Sequence, residues 1–318
     1  MAIGAAVDVG SNSVHLLVAL VGFGLVEMLR DRSELLGLGE VVDRDGAIPV
    51  DEMTALTDLL KSYAVAARRS GAERLTLVGT DPLRRASNAA EVTAAVESAT
   101  GVDLRVLTEQ EEAMLTFVGA TRGRLPEAPL VVVDIGGGST EVASWAPGQT
   151  LQVQSLAIGS SRLTNALVHN DPPTDSEIQM LFEAASEIVG GLGAGVASVG
   201  RTATAARAVF VGGTATNVAR LGRLSVEHLI ADRFTLGRLT TDQVSTRYDV
   251  RPKRARQLAA GVAIVHALLN AFGMDSAEVS DASLRDGAII AAARYGDAWP
   301  ENLGELVGIS DDRHQATA

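Results

Sequence analysis

The chain carries the same short pattern twice. An apolar run ends in aspartate and continues with one apolar residue and a glycine, as Val-Asp-Val-Gly-Ser at residues 7–11 and as Val-Asp-Ile-Gly-Gly at residues 133–137. Each copy leads into a second apolar run and, further along, into stretches of helical periodicity. Strands followed by helices in each half indicate two α/β domains related by duplication, and 318 residues suffice for two such cores.

Hydrophobic periodicity predicts the remaining elements. The expected order is paired strands at 5–9 and 14–21, a helix at 51–70, a strand at 75–78, a loop at 79–84 and a helix at 88–100. Thr108 and Glu111 have the spacing of a capping box for a helix over 109–121. Residues 122–129, rich in proline, glycine and charge, mark the expected boundary. We therefore predict domains at 1–124 and 125–318, with a terminal helix near 288–295 that packs back on the first domain as an alternative.

Composition excludes several classes of protein. Without cysteine there is no disulfide framework, thiolate zinc site or cysteine nucleophile. The two lysines, Lys61 and Lys253, follow leucine and proline, so the chain has no Gly-Lys-Ser/Thr loop of a P-loop NTPase. The net charge of −12 argues against nonspecific binding to nucleic acid or to an anionic membrane. Asp8 interrupts the first apolar run and no targeting signal is evident, so a cytoplasmic protein is predicted.

The repeated turns suit phosphate chemistry. A carboxylate at a strand tip, such as Asp8 or Asp134, can hold a divalent metal or an attacking water. Glycines let backbone N–H groups approach a phosphate closely, and hydroxyl groups add donors. A third glycine-rich turn at 212–214 follows another apolar run. The predicted phosphate-binding residues of the three turns are Ser11, Asn12, Ser13, Gly136, Gly137, Gly138, Ser139, Gly213 and Thr214.

Spacing leaves several residues undecided. Glu141 closes the second loop, while Glu109, Glu111 and Glu112 begin a helix, where capping alone would explain any one of them. Arg84 and its neighbour Arg85 follow a strand, and either could reach a phosphate. The basic cluster at 251–256 is either a solvated helix start or a track for a polyanion. The five histidines form no ligand set of close spacing.

Six segments occur in an order typical of one known family: 8–13, 80–88, 111–113, 134–141, 212–217 and 280–287. They resemble the exopolyphosphatase/guanosine pentaphosphate phosphohydrolase family of the actin–sugar kinase–Hsp70 superfamily. The resemblance implies an α/β protein of two actin-like, ribonuclease H-like domains with the active site in the cleft between them. It also implies Mg²⁺ as cofactor, release of terminal orthophosphate, and a homodimer.

The resemblance further implies roles for individual residues. Glu112, immediately before alanine in the Glu-Glu-Ala motif, matches the catalytic base, and Arg84 matches a phosphate ligand. Asp134 and Glu141 match the carboxylates that serve metal and water, with Asp8 as a further metal ligand.

Three departures from the family pattern affect the expectation. His15 stands where an arginine is frequent, which puts a cationic contact in doubt, and Asp81-Pro82 adds a negative charge near the expected phosphate site. The chain also lacks the C-terminal helical domains of longer members, so polyphosphate of short or intermediate length is expected.

These features favour an exopolyphosphatase that uses Mg²⁺ and water. Guanosine pentaphosphate (pppGpp) 5′-phosphohydrolase is the nearest alternative, since the same cleft would serve both substrates. A sugar kinase must keep water out, which the water-directing glutamate of the motif argues against. A non-catalytic alarmone-binding sensor is the alternative from another class, and the retained carboxylates argue against it.

Overall fold

The computed structural model describes residues 1–22, 24–202 and 206–309. Contacts divide the chain into two compact units. Unit 1 is Met1–Leu125 together with the described residues from Ala282 onward, and unit 2 is Pro126–Asp281. Each unit contains one five-stranded sheet.

Unit 1 begins with three strands of its sheet, and the other two strands alternate with helices. Its strands are β1 (Ala2–Val9), β2 (Ser13–Gly22), β3 (Leu25–Leu35), β4 (Arg74–Gly79) and β5 (Leu104–Val106). Its helices before the boundary are α1 (Leu38–Asp45), α2 (Val50–Arg69), α3 (Asp81–Arg85), α4 (Ala89–Thr100) and α5 (Glu109–Thr121). The sheet order is β3-β2-β1-β4-β5, with β1 antiparallel to β2 and parallel to β4. Ala5, Ala6 and Val7 are all buried, as expected for a central strand covered on both faces.

Unit 2 repeats this arrangement. Its strands are β6 (Leu130–Ile135), β7 (Thr140–Trp145), β8 (Gln152–Leu156), β9 (Arg207–Val211) and β10 (Glu278–Val279). Its helices are α6 (Ser160–Leu167), α7 (Asp175–Val189), α8 (Ala194–Thr202), α9 (Gly212–Val218), α10 (Val226–Leu236), α11 (Thr241–Tyr248) and α12 (Pro252–Phe272). The sheet order β8-β7-β6-β9-β10 matches that of unit 1 strand for strand, with the same parallel and antiparallel pairs. The predicted duplication is confirmed.

The chain then returns to unit 1 through α13 (Leu284–Tyr295), a 3₁₀ turn (Gly296–Ala298) and α14 (Trp299–Leu306). Helix α13 crosses α5 very closely: a Cβ on Gly287 would overlap the carbonyl oxygen of Leu115, and a Cβ on Gly119 would overlap that of Ser283. This packing, together with contacts to β1, groups residues from 282 onward with unit 1 rather than with a second domain spanning 125–318.

Local signals place most elements correctly. The capping box of α5 is present, with Thr108 accepting from the Glu111 N–H, and Gly101 ends α4 in the left-handed conformation, with φ 72°. The predicted loop at 79–84 is wrong, because α3 starts at Asp81. Proline fits the first turn of a helix, and Leu83 packs over Gly79. Among the described residues no single helix is long and apolar enough to cross a membrane, and one pair, bent by 109°, reaches that length only as two pieces together.

Candidate active-site residues of the two units

The first loop, in unit 1, is a tight turn between β1 and β2. The Gly10 N–H donates to the Ser13 carbonyl at 3.2 Å. Asp8 lies directly opposite His15 in the antiparallel pair, so both side chains lie on one face of the sheet. The Ser13 hydroxyl and His15 Nε2 are 2.6 Å apart in a hydrogen bond. Asn12 and Ser13 are buried, so the side chains of this loop face the interior of the fold.

The second loop, in unit 2, has the same geometry. The Gly136 N–H donates to the Ser139 carbonyl at 2.9 Å, and Asp134 lies directly opposite Glu141. In this register His15 occupies the position in unit 1 that Glu141 occupies in unit 2. The duplication therefore leaves two facing carboxylates in unit 2 and one carboxylate facing an imidazole in unit 1.

Helix α6 fixes the second loop from behind. The N–H of Ser160 donates to the Gly136 carbonyl, and the N–H of Ser161 donates to that of Gly137, at 3.1 and 3.0 Å. Within the described ranges, no residue accepts a hydrogen bond from the N–H of Gly137, Gly138 or Ser139. Three successive N–H donors in a turn held by its carbonyls have the arrangement of an anion-binding nest.

The predicted glycine-rich turn at 212–214 is instead the first turn of helix α9, which begins at Gly212. These residues, still called the third turn below, lie against the second loop. Gly212 has φ 85°, and a Cβ there would overlap Oδ1 of Asp134. The Thr214 hydroxyl hydrogen-bonds that of Ser160 at 2.9 Å and lies 3.4 Å from the Gly136 carbonyl. Unit 2 therefore gathers Asp134, the second loop and the third turn into one cluster.

Helix α12 adds Arg254, a member of the basic cluster at 251–256 whose role the sequence left open between a solvated helix start and a track for a polyanion. Nη2 of Arg254 lies 3.3 Å from where a Cβ of Gly213 would be. Burial and the charge of Arg251 lower the pKa of Arg254, and no acidic residue in the described part of the chain forms an ion pair with it. The sequence signal that could have found Arg254 is helical spacing. Arg254 and Gly261 lie two turns apart on the same face of α12, and Gly261 lies against Thr214.

In unit 1 the three glutamates at the start of α5 have different surroundings. Glu109 is exposed, and Glu111 accepts from Thr108 and Arg105. Burial opposes ionisation of Glu111, but these hydrogen bonds lower its pKa. Glu112 is buried and accepts from Nη1 of Arg84 at 2.5 Å. Of the three candidates, Glu112 is the one whose carboxylate lies beside a phosphate-binding candidate.

The structure also distinguishes the roles of the two adjacent arginines, Arg84 and Arg85. Arg84 also donates to the Leu107 carbonyl at 3.1 Å. Arg85 donates to both carboxylate oxygens of Asp81 at 2.9 Å and to Asp43 at 2.5 Å. The Ser11 hydroxyl donates to Asp81 at 3.0 Å. The extra charge of Asp81 is therefore neutralised by Arg85, and the side chain anchors the first loop.

The carboxylates of unit 2 fit a magnesium ion. Asp134 faces Glu141, which is 2% exposed and accepts from Ser155 at 3.1 Å. In the ranges that the structure describes, no group of three or more acidic or histidine side chains forms a ready metal cage. Mg²⁺ does not require one, since it is commonly held by one or two carboxylates, waters and substrate phosphates. Asp8 lies in unit 1.

Comparisons with known proteins indicate which chemistry these residues serve. A model of the Ppx/GppA phosphatase family matches residues 17–295. Exopolyphosphatase 1 of Mycobacterium tuberculosis is 30% identical over 295 residues, covering 89% of this chain and 86% of the relative. Exopolyphosphatase 2 of the same organism is 31% identical over 314 residues, covering 91% and 98%.

Solved structures agree with the fold. A crystal structure of the Aquifex aeolicus member of the Ppx/GppA family is 28% identical, with a TM-score of 0.78 over 93% of this chain and 99% of the other. An exopolyphosphatase from Cytophaga hutchinsonii, 20% identical, has the same fold with a TM-score of 0.78 over 97% of this chain and 100% of the other. The two sheets of the chain are thus those of the actin-like fold.

Proposed function

The chain belongs to the Ppx/GppA phosphatase family and is a phosphoanhydride hydrolase, and we propose that it removes terminal orthophosphate from inorganic polyphosphate. The observation that carries the proposal is the pair of Arg84 and Glu112, a cation suited to phosphate beside a buried carboxylate. The open N–H groups of the second loop support the same substrate class, because they offer donors to a second phosphate.

In the proposed reaction Glu112 accepts a proton from a water molecule as the water oxygen attacks the terminal phosphorus. The bridging P–O bond breaks, and the electron pair leaves with the shortened polyphosphate chain. Arg84 binds the equatorial oxygens of the transferred phosphoryl group, where charge is concentrated in the transition state. The products are orthophosphate and a chain shorter by one phosphate.

Magnesium is part of this proposal. Asp134 and Glu141 would hold Mg²⁺, and Asp8 is a further candidate ligand. When bound, the ion neutralises phosphate charge and polarises the phosphoryl oxygens. The acidic net charge of −12 makes such neutralisation necessary for a polyanionic substrate.

The test is phosphate release from polyphosphates of graded length and from pppGpp, with and without Mg²⁺. Wild type should hydrolyse polyphosphate only with Mg²⁺, and Glu112→Gln should lose about 100-fold or more in kcat, the usual contribution of a general base. Glu109→Gln, an exposed glutamate of the same helix, is the matched control and should retain activity. Release from pppGpp but not from polyphosphate would replace this proposal with the pentaphosphate phosphohydrolase. Transfer of phosphate to a sugar, or ligand binding without turnover, would reject hydrolysis altogether.

A further inference from the structure

A cavity lies in unit 1, at the opposite end of the sheet from the first loop. It has a volume of about 500 Å³, within the range of small-molecule sites. Ala2 and Val21, which line it, pair at one end of β1 and β2, whereas Val9 and Val14 pair at the other end beside the first loop. At ~3.3 Å per residue the two ends of β1 are roughly 20 Å apart.

Three arginines line this cavity: Arg122, Arg124 and Arg294. Guanidinium groups bind phosphate oxygens through paired N–H donors, so three of them around one space favour an anionic ligand.

The backbone makes room for these side chains. The guanidinium of Arg124 lies over Gly24, in the space that a Cβ would fill, and Gly24 has φ 78°. Arg122 ends α5 with φ 54°, a left-handed conformation that is rare for residues with a Cβ. Helix α5 thus carries Glu112 in its first turn and presents Arg122 at its other end.

The remaining wall is apolar. Met1, Val21, Leu25 and Ile290 line it, and Met1 and Leu25 are 68% and 38% exposed. A purely inorganic anion would leave this apolar surface uncovered, whereas an organic phosphate would cover it with its carbon skeleton.

We propose that this cavity binds an organic phosphate of the nucleoside triphosphate class, separately from the site of hydrolysis. Phosphate oxygens contact the three guanidinium groups, and the nucleoside packs on the apolar wall. The proposal does not depend on the identity of the hydrolysed substrate.

Calorimetric titration of the full chain with β,γ-methylene-ATP tests this binding. Wild type should bind the analogue, and the double variant Arg124→Glu/Arg294→Glu should bind it at least ten times more weakly. The matched control Arg69→Glu reverses an exposed arginine elsewhere in unit 1 and should bind within twofold of wild type. Arg84→Ala should retain the binding, because Arg84 belongs to the other site.

Several outcomes overturn the proposal. One is equal binding of the analogue by the double variant and by wild type. Another is loss of binding in Arg84→Ala alone, which would place the analogue at the proposed catalytic residues. Tripolyphosphate that competes for this cavity as strongly as the analogue would show that the apolar wall contributes nothing. The single variant Arg294→Ala, measured beside thermal melting of each protein, keeps the test valid if the double variant does not fold.

Discussion

Nη1 of Arg84 donates to Oε2 of Glu112 at 2.5 Å, although 28 residues separate them in the chain. Both side chains are largely buried, at 17% and 9% exposure. The contact joins the short helix α3, which follows β4, to the first turn of α5, which follows β5. It holds the proposed base in place before substrate arrives, and the Leu107 carbonyl holds the arginine from the other side.

Replacing Arg84 should therefore damage both binding and turnover. Arg84→Ala should lower kcat/KM for polyphosphate by ~100-fold or more, since removing one preorganised donor to the transition state costs roughly 2.7–4 kcal/mol. Phosphate release measured at several polyphosphate concentrations checks this. Arg85→Ala is the control, because Arg85 is committed to Asp81 and Asp43. An equal loss in both variants would refute the assignment of the phosphate contact to Arg84.

Gly212 is expected to tolerate no side chain. Gly212→Ala has two penalties, a positive φ and an overlap of the new Cβ with Asp134. The control, Gly148→Ala, has only the first penalty: its φ is 77°, and nothing lies within 4 Å of the added Cβ. The control should lose roughly 1–2 kcal/mol in free energy of unfolding, and Gly212→Ala a further ~1–3 kcal/mol from overpacking. Denaturant titration measures the difference. Gly212→Ala should also need more Mg²⁺ for half-maximal activity, and an unchanged requirement would argue that Asp134 is no metal ligand.

Arg254 is expected to bind substrate rather than to stabilise the fold. Arg254→Gln should raise KM for polyphosphate about tenfold, equal to ~1.4 kcal/mol, with little change in kcat. Arg251→Gln, three residues earlier and exposed, should leave KM within twofold. A fall in kcat at constant KM would contradict a binding role for Arg254.

Glu177 should make unit 2 sensitive to acid. Burial opposes its ionisation, but the backbone N–H groups of Thr174 and His169 and the side chains of Asn170 and Thr174 lower its pKa to about 2. An unfolded glutamate titrates near ~4.3. The stabilisation is therefore complete above about pH 5 and is lost as pH falls from there toward 2. Thermal melting from pH 6 to pH 2 should show a steeper loss in wild type than in Glu177→Gln. The exposed Glu187→Gln should follow the wild-type profile.

The sequence predicted the parts of the site that depend on neighbouring residues. The turns after Asp8 and Asp134 have the same internal hydrogen bond in both copies, since glycine and the flanking apolar runs determine a hairpin locally. The capping box of Thr108 and Glu111 is confirmed for the same reason. The resemblance to a family added roles for Glu112 and Arg84, and these roles, Mg²⁺ and the homodimer stay predictions.

Other features could be decided only by the tertiary structure, because they depend on contacts between residues far apart in the chain. Helical spacing could not choose among Glu109, Glu111 and Glu112, since any of them can complement a helix start. The side-chain contact between α3 and α5 made the choice, since Arg84 donates to Glu112 while Arg105 and Thr108 hold Glu111. Similarly, Arg254 is one of several basic residues in the sequence, and only the packing of α12 on the third turn brings its guanidinium against Gly213. Backbone turns follow from adjacent residues, but the partner of a charged side chain follows from which elements the core brings together.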